Sequence, residues 1–75
     1  MEFYILLDEQ YIEGKIKSSH LPRIGETIVL NQTDTGSSKY RVVGIQHIYD
    51  EEKAYSLVNN YTITIYVHVE LINDF

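Results

Sequence analysis

The strongest pattern in the chain is an alternation of apolar and polar positions over residues 61–72. Large apolar side chains occupy every second position from Tyr61 to Leu71. A period of two is typical of a β-strand with one buried face. Twelve residues span roughly 40 Å at the rise of a strand. We therefore expect this strand either to bend around a barrel or to overhang and pair with another chain.

Two further strands are predicted in the N-terminal part of the chain. Residues 3–8 place Phe3, Ile5 and Leu7 on one face and apolar side chains on the other as well, which is typical of a central or covered strand. A turn is expected over residues 8–10. Residues 11–18 alternate more weakly, and Gly14 in their middle indicates a bend or bulge.

The middle of the chain predicts two strands joined by a polar loop. Pro22 and Gly25 indicate a rigid turn that leads into a strand over residues 26–31. Residues 32–38 (QTDTGSS) carry no large apolar side chain and form a loop. Over residues 39–49 the apolar positions change phase. A bulge near Gly44 would turn the side chains of one set inward, namely Tyr40, Val42, Ile45 and Tyr49.

The segment between this strand and the last one has two interpretations. Acidic residues suit a first helical turn, so Asp50 is a candidate cap for a helical turn over about residues 51–58. Tyr55 and Leu57 instead continue the parity of the last strand. We leave helical turn, loop and strand open here.

Composition supports an all-β domain. Ile, Val and Thr supply 21 of the 75 residues, and Ala occurs once; β-branched side chains suit a pleated, half-buried surface. A chain of this length forms one small domain, residues 1–75. Closing the sheet limits exposed edges, so we expect a five-stranded β-barrel.

The absence of cysteine and the length of the apolar runs limit where the protein is expected to reside and which chemistry it can perform. The chain has no cysteine, which excludes disulfides and thiolate ligands. The longest apolar run, residues 3–7, is short and lies between Glu2 and Asp8, so it is neither a signal-peptide core nor a membrane span. We expect a cytoplasmic protein with no membrane contact.

A resemblance covers residues 21–72. The stretch Pro22–Ile28 (PRIGETI), then Tyr40–Ile45 (YRVVGI) and the long alternating strand follow the outline P-x-x-G-[DE]-x-[IV], Y-x-V-x-x-[VI] and a closing strand. This pattern resembles small, mostly uncharacterised bacterial and phage proteins with an SH3-like barrel. The resemblance implies that architecture and no activity, since unrelated functions share the barrel.

The sequence offers no catalytic, cofactor or metal site. A metal needs converging ligands, whereas a bulge near Gly44 points His47 inward and His68 outward. Adjacent carboxylates such as Glu51 and Glu52 fall at strand ends, where solvated turn residues are the simpler interpretation. The serines lie in turns, without the surroundings of a nucleophile. We expect a protein that is not an enzyme and has no cofactor.

Charge disfavours nucleic-acid binding. Six Lys and Arg stand against eleven Asp and Glu, for a net charge of −5, whereas a nucleic-acid groove needs a basic surface. Mimicry of nucleic acid by an acidic surface is an equally weak alternative, because the charge is modest for that purpose.

Tyrosine is the residue type that points to a function. Seven tyrosines are many for this length, and tyrosine is favoured at interfaces, although it also fills cross-strand positions in any barrel. The outward stripe of the last strand is nearly uncharged. We predict a protein-interaction module that binds itself or a partner protein through an interface of Tyr4, Tyr11, Thr64, Tyr66 and His68. The alternative is a small-ligand or nucleotide binder with a pocket between subunits and residues 32–38 as its gate.

Overall fold

The computed structural model describes residues 1–33, 36–52 and 60–74. These residues form a single mixed sheet of five strands. The strands are β1 (Glu2–Leu7), β2 (Gln10–Lys17), β3 (Thr27–Gln32), β4 (Gly36–Glu52) and β5 (Asn60–Asp74).

The order of the strands in the sheet is β2-β1-β5-β4-β3. The pairs β1–β2, β3–β4 and β4–β5 are antiparallel, whereas β1 and β5 pair parallel, with Ile5 opposite Val67. The parallel pair follows from the strand number, because in an up-and-down ring of five strands the first and the last run in the same direction. The ring is not closed, because β2 and β3 do not pair with each other. They form the two edges of the sheet.

The sheet curls into a half-barrel around a small core. Ile5 and Val67, at the centre of the parallel pair, are fully buried, and Phe3, Val42 and Val69 surround them. The opening between β2 and β3 is spanned by a side-chain hydrogen bond, in which the Gln32 amide donates to the Glu13 carboxylate at 3.2 Å. Partly buried side chains from all five strands and one loop line the core, namely Leu7, Ile12, Ile16, Leu21, Ile28, Leu30, Tyr40, Ile45 and Ile65.

The all-β, five-stranded prediction is therefore confirmed, as an open half-barrel consistent with a small SH3-like barrel. No helix occurs in the described ranges. Of the segment predicted as helical turn, loop or strand, Glu51 and Glu52 belong to β4, and residues 53–58 lie outside the described residues. Asp50 caps no helix, because it pairs with Thr62 in the β4–β5 ladder.

The predicted bulge at Gly44 is confirmed. Val42 lies opposite Val69 and Gly44 opposite His68, so Val43 is the extra residue. The shift brings both Val42 and Ile45 to the core, which regular alternation would not allow. The same parity carries Tyr49 to the core side of the sheet, but its side chain is 58% exposed. Tyr49 thus faces the predicted side but does not join the core, because no strand or loop in the described residues covers that end of β4.

Two turns set the strand directions. Asp8 and Glu9 join β1 and β2 with φ values of 50° and 64°, as in the type I′ turn that matches the twist of a two-residue hairpin. Before β3, the Glu26 N–H donates to the Arg23 carbonyl at 3.0 Å, with Gly25 at a φ of 93°. A positive φ at the third residue defines a type II turn and favours glycine, as the Pro22–Gly25 pattern predicts.

The β4–β5 hairpin extends well beyond the core. On the N-terminal side of Tyr66, over residues 60–65, the strand β5 has no β1 neighbour and pairs with β4 alone. We call this two-stranded part, residues 47–52 and 60–65, the arm. The arm gives the molecule a length of 52 Å against widths of 25 and 23 Å. The long alternating strand therefore overhangs the barrel, one of its two expected outcomes.

Candidate interaction surface

Three of the predicted interface residues meet on the outer face of the half-barrel. Tyr4 of β1 lies directly opposite Tyr66 of β5 in the parallel ladder. Tyr11 of β2 pairs with Leu6, two residues along β1 from Tyr4. Because side chains two residues apart on a strand share a face, the three rings come together over neighbouring strands. We call Tyr4, Tyr11 and Tyr66 the tyrosine cluster.

The tyrosine cluster is a set of mutual ring contacts. Ring centroids lie 5.5 Å apart for Tyr4 and Tyr11, 5.7 Å for Tyr4 and Tyr66, and 6.0 Å for Tyr11 and Tyr66. These are favourable separations for edge-to-face and tilted aromatic pairs. The Tyr11 hydroxyl donates to the Tyr66 hydroxyl at 3.1 Å. The side chains are thus fixed by one another, although Tyr11 is 60% exposed.

A hollow of about 310 Å³ lies beside the cluster. Leu6 forms part of its wall and is buried although it belongs to the outer face. Sequence reasoning did not name Leu6, Glu9 or Gln46 as site residues. Strand parity is the signal that could have found two of them, because Leu6 shares a face with Tyr4 and the Gly44 bulge turns Gln46 outward. The lining residues are Leu6, Glu9, Tyr11, Gln46, Tyr66 and His68.

His68 forms the polar side of this hollow. It lies opposite Gly44, and its Nε2 is 3.2 Å from Oε1 of Gln46, at hydrogen-bonding distance. A Cβ added at Gly44 would lie 3.8 Å from the His68 Cβ, an ordinary van der Waals contact. The surface therefore combines aromatic rings with the polar side chains of His68 and Gln46.

Thr64 lies next to the cluster without joining it. It shares the outer face of β5 with Tyr66 and lines a separate groove of about 320 Å³. This groove opens where β1 and β5 separate, with Glu2 and Lys15 on its far side. The five predicted interface residues thus lie on one continuous outer face, with Thr64 at the beginning of the arm.

The surroundings of Tyr66 disfavour its ionisation. The hydrogen bond with Tyr11 is the largest cause that raises the pKa of Tyr66, followed by partial burial and by the charges of Tyr11, Tyr4 and Asp50. A phenolate at Tyr66 would face Tyr11, Tyr4 and Asp50, which are negative at high pH. The tyrosine cluster therefore favours the neutral form of Tyr66.

We expect the cluster to weaken the fold at alkaline pH. The pKa of Tyr66 is raised in the folded chain, so its contribution to stability is complete below the ordinary tyrosine pKa of about 10 and is lost as the pH rises through the folded value. A titration followed by absorbance at 295 nm should show a late-ionising tyrosine that disappears in Tyr66→Phe and shifts to lower pH in Tyr11→Phe. Tyr49→Phe, in the arm, should retain it. A late component unchanged in Tyr66→Phe would contradict the assignment.

The histidines of the described residues lie apart from one another. The described ranges contain no group of three or more His, Asp or Glu side chains arranged to hold a metal ion. His47 faces the core side of the arm and His68 the outer face, as the bulge predicts, and His20 lies in the β2–β3 loop. No helix within the described ranges is long and apolar enough to cross a membrane.

Two of the cations lie beside carboxylates. Lys15 lies 3.7 Å from Glu2, and Arg41 lies 3.2 Å from Glu70 across the β4–β5 ladder. All four side chains are about half exposed, so these pairs contribute little to stability. Their effect is to interrupt any continuous basic surface.

No protein-family model matches the chain, and neither a curated protein nor a solved structure matches it.

Proposed function

We propose that this protein is a non-enzymatic interaction module of the cytoplasm, an SH3-like half-barrel that binds protein through its outer tyrosine-bearing face. The partner is a second copy or another protein, and the interface comprises Tyr4, Tyr11, Thr64, Tyr66 and His68. The observation that carries the proposal is the tyrosine cluster, three rings in mutual contact on an exposed face.

The rigidity of the cluster supports this role. Tyr4 lies on β1 and Tyr66 on β5, both interior strands of the sheet. The hydroxyl contact between Tyr11 and Tyr66 holds the third ring in place. Binding therefore costs little side-chain entropy, since the rings are ordered before a partner arrives. Tyrosine adds apolar area together with a polar hydroxyl group, the combination that is enriched at the centres of interfaces.

The composition of the surface supports protein over nucleic acid. Phosphate recognition needs a basic groove, whereas Lys15 and Arg41 are each paired with a carboxylate. We therefore propose that the module does not bind nucleic acid. A gel shift that appears at low salt and disappears as salt rises would contradict this.

The direct test removes the centre of the cluster. We expect Tyr66→Ala to weaken association at least about tenfold, because a central interface tyrosine contributes on the order of 2 kcal/mol. The measurement is multi-angle light scattering over a concentration series, together with a binding assay against any partner captured by the wild type. Tyr49→Ala is the matched control, since it removes an exposed tyrosine from the arm. A wild-type protein that stays monomeric and captures no partner would overturn the proposal.

A small-ligand site is the second candidate, and the hollow beside the cluster favours it. Its volume of about 310 Å³ is at the lower limit of ordinary ligand pockets. The prediction of a loop over residues 32–38 is wrong at both ends, because Gln32 ends β3 and Gly36–Ser38 begin β4. Ser38 lies eight positions along β4 from Gln46, roughly 26 Å away, so this segment reaches such a pocket only from a second copy. A thermal-shift screen of nucleotides and metabolites tests this candidate, since a bound compound raises the midpoint.

A further inference from the structure

The arm presents an unpaired strand edge. Residues 60–65 of β5 hydrogen-bond with β4 on one side, and the parallel ladder with β1 begins only at Tyr66. Within the described ranges no strand pairs with their other side. The backbone N–H and C=O groups there are in strand conformation, so another strand is the partner that matches them.

The edge lacks the features that protect exposed strands. Natural edges are guarded by charges, proline or bulges. Residues 60–69 (NYTITIYVHV) contain no Asp, Glu, Lys, Arg or Pro, and the ladder with β4 is regular from Asn60 to His68. The opposite edge of the arm is different, because β4 carries Asp50, Glu51 and Glu52 there.

Charge selects which edges of two copies can meet. The chain carries −5, so two copies repel each other over most of their surfaces. Pairing of β5 with β5 brings together two uncharged segments and keeps the acidic β4 edges at the outer sides. Pairing through the β4 edges would instead oppose like charges, which destabilises a sheet.

The segment is also self-complementary. A two-fold antiparallel pair must place one residue opposite itself. With Ile63 at that position, Tyr61 faces Ile65 and Thr62 faces Thr64. Aromatic–aliphatic and threonine–threonine pairs are favourable across strands, and Ile63, which is 53% exposed, becomes covered.

The shape of the molecule gives an independent reason. The radius of gyration is 15.0 Å, against about 11 Å for a compact chain of 75 residues. A two-stranded hairpin is marginally stable in water, and three or more strands are needed for independent stability. Pairing two arms makes a four-stranded sheet from two such hairpins.

From these observations we propose that the protein forms a two-fold dimer through antiparallel pairing of residues 61–65 with the same segment of a second copy, about Ile63. The inference goes beyond the proposed function, because it uses the free edge of the arm and not the tyrosine cluster. It also places Thr64, the predicted interface residue outside the tyrosine cluster, in the contact.

The test compares two substitutions on opposite edges of the arm. Ile63→Lys puts a charge on the proposed edge, whereas Tyr49→Lys puts the same charge on the residue directly opposite it in β4. By sedimentation equilibrium we expect wild type to dimerise, Ile63→Lys to weaken the dimer at least tenfold, and Tyr49→Lys to change it less than threefold. Both positions are about half exposed, so the monomer fold should persist, as circular dichroism would verify.

Cysteine substitution tests the geometry. Since the chain has no cysteine, Ile63→Cys should form a disulfide-linked dimer on mild oxidation and Tyr49→Cys should not. A monomeric wild type, equal effects of the two lysine variants, or equal crosslinking from both cysteines would overturn the dimer. Loss of partner binding in Tyr66→Ala with a monomeric wild type would leave the proposed function standing without the dimer.

Discussion

Replacing Ile5 with alanine is expected to lower the free energy of unfolding by about 3–4 kcal/mol and to leave a protein close to the limit of folding. Truncating a buried isoleucine removes transfer free energy and leaves a cavity, together about 2–5 kcal/mol. Ile5 is fully buried on a central strand, opposite the equally buried Val67. A domain of 75 residues has a total stability of roughly 4–11 kcal/mol, so this one substitution removes a large part of it.

Urea unfolding followed by circular dichroism measures this effect. Ile5→Val serves as the graded variant, with an expected loss of about 0.5–1.5 kcal/mol, in case the alanine variant is unfolded at once. Ile24→Ala is the matched control, because Ile24 is 67% exposed and should change stability by less than about 0.5 kcal/mol. Equal losses at positions 5 and 24 would contradict the assigned core.

Substituting Gly25 with alanine is expected to cost about 1–2 kcal/mol. Gly25 has a φ of 93°, which a side chain with a Cβ adopts only with strain. No heavy atom would crowd the added methyl group, so the loss is due to the backbone alone. The turn also positions Glu26. The Glu26 N–H donates to the Arg23 carbonyl, and the Glu26 carbonyl accepts from the Val42 N–H. Strain there is therefore transmitted to the first residues of β3.

Gly14→Ala is the control for this prediction. Its added Cβ likewise meets no atom within 4 Å, but its φ lies outside the strained region. We expect no loss of stability and a gain of up to about 1 kcal/mol, because alanine loses less backbone entropy than glycine in a strand. Thermal midpoints of the two variants, measured side by side, separate backbone strain from the general effect of an extra methyl group. A destabilised Gly14→Ala with a neutral Gly25→Ala would reverse the argument.

The positions of the strands and most of the core residues could be predicted from the local alternation of apolar and polar residues. Alternation placed β5 to within two residues at each end, and the phase change around Gly44 located the bulge. Such features depend on which side of a strand each residue occupies, which is set by the chain itself. The overhang was foreseen only as one of two outcomes, because a strand's length does not specify which neighbours run beside it.

The failures involve neighbours that are distant in sequence. Tyr49 has the parity of a core residue, yet β1 ends its pairing at Tyr66 and nothing described covers that part of β4. The strand continues through Asp50 to Glu52 because each residue pairs with β5, although acidic residues usually mark an end. Burial along a strand is decided by what lies over it, which periodicity does not report.

The sequence predicted which residues belong to the candidate site better than how those residues are arranged. Outward parity identified Tyr4 and Tyr66 separately, but their contact requires the parallel register of β1 and β5. Tyr11 joins them only through the register of the β1–β2 hairpin. Both registers are tertiary features, so the sequence alone indicated a tyrosine-rich face and not a cluster of touching rings.

The parallel pairing of the first and last strands also governs how the chain reaches its native state. Ile5 and Val67 meet across nearly the whole sequence, and closing so large a loop carries an entropic cost before any core contact offsets it. Sheets built on such distant pairings fold slowly compared with helical domains of similar size. During synthesis the β1–β2 and β3–β4 hairpins emerge first, without the strand that lies between them. The core therefore assembles only once β5 has been made, and the apolar faces of both hairpins remain uncovered until then.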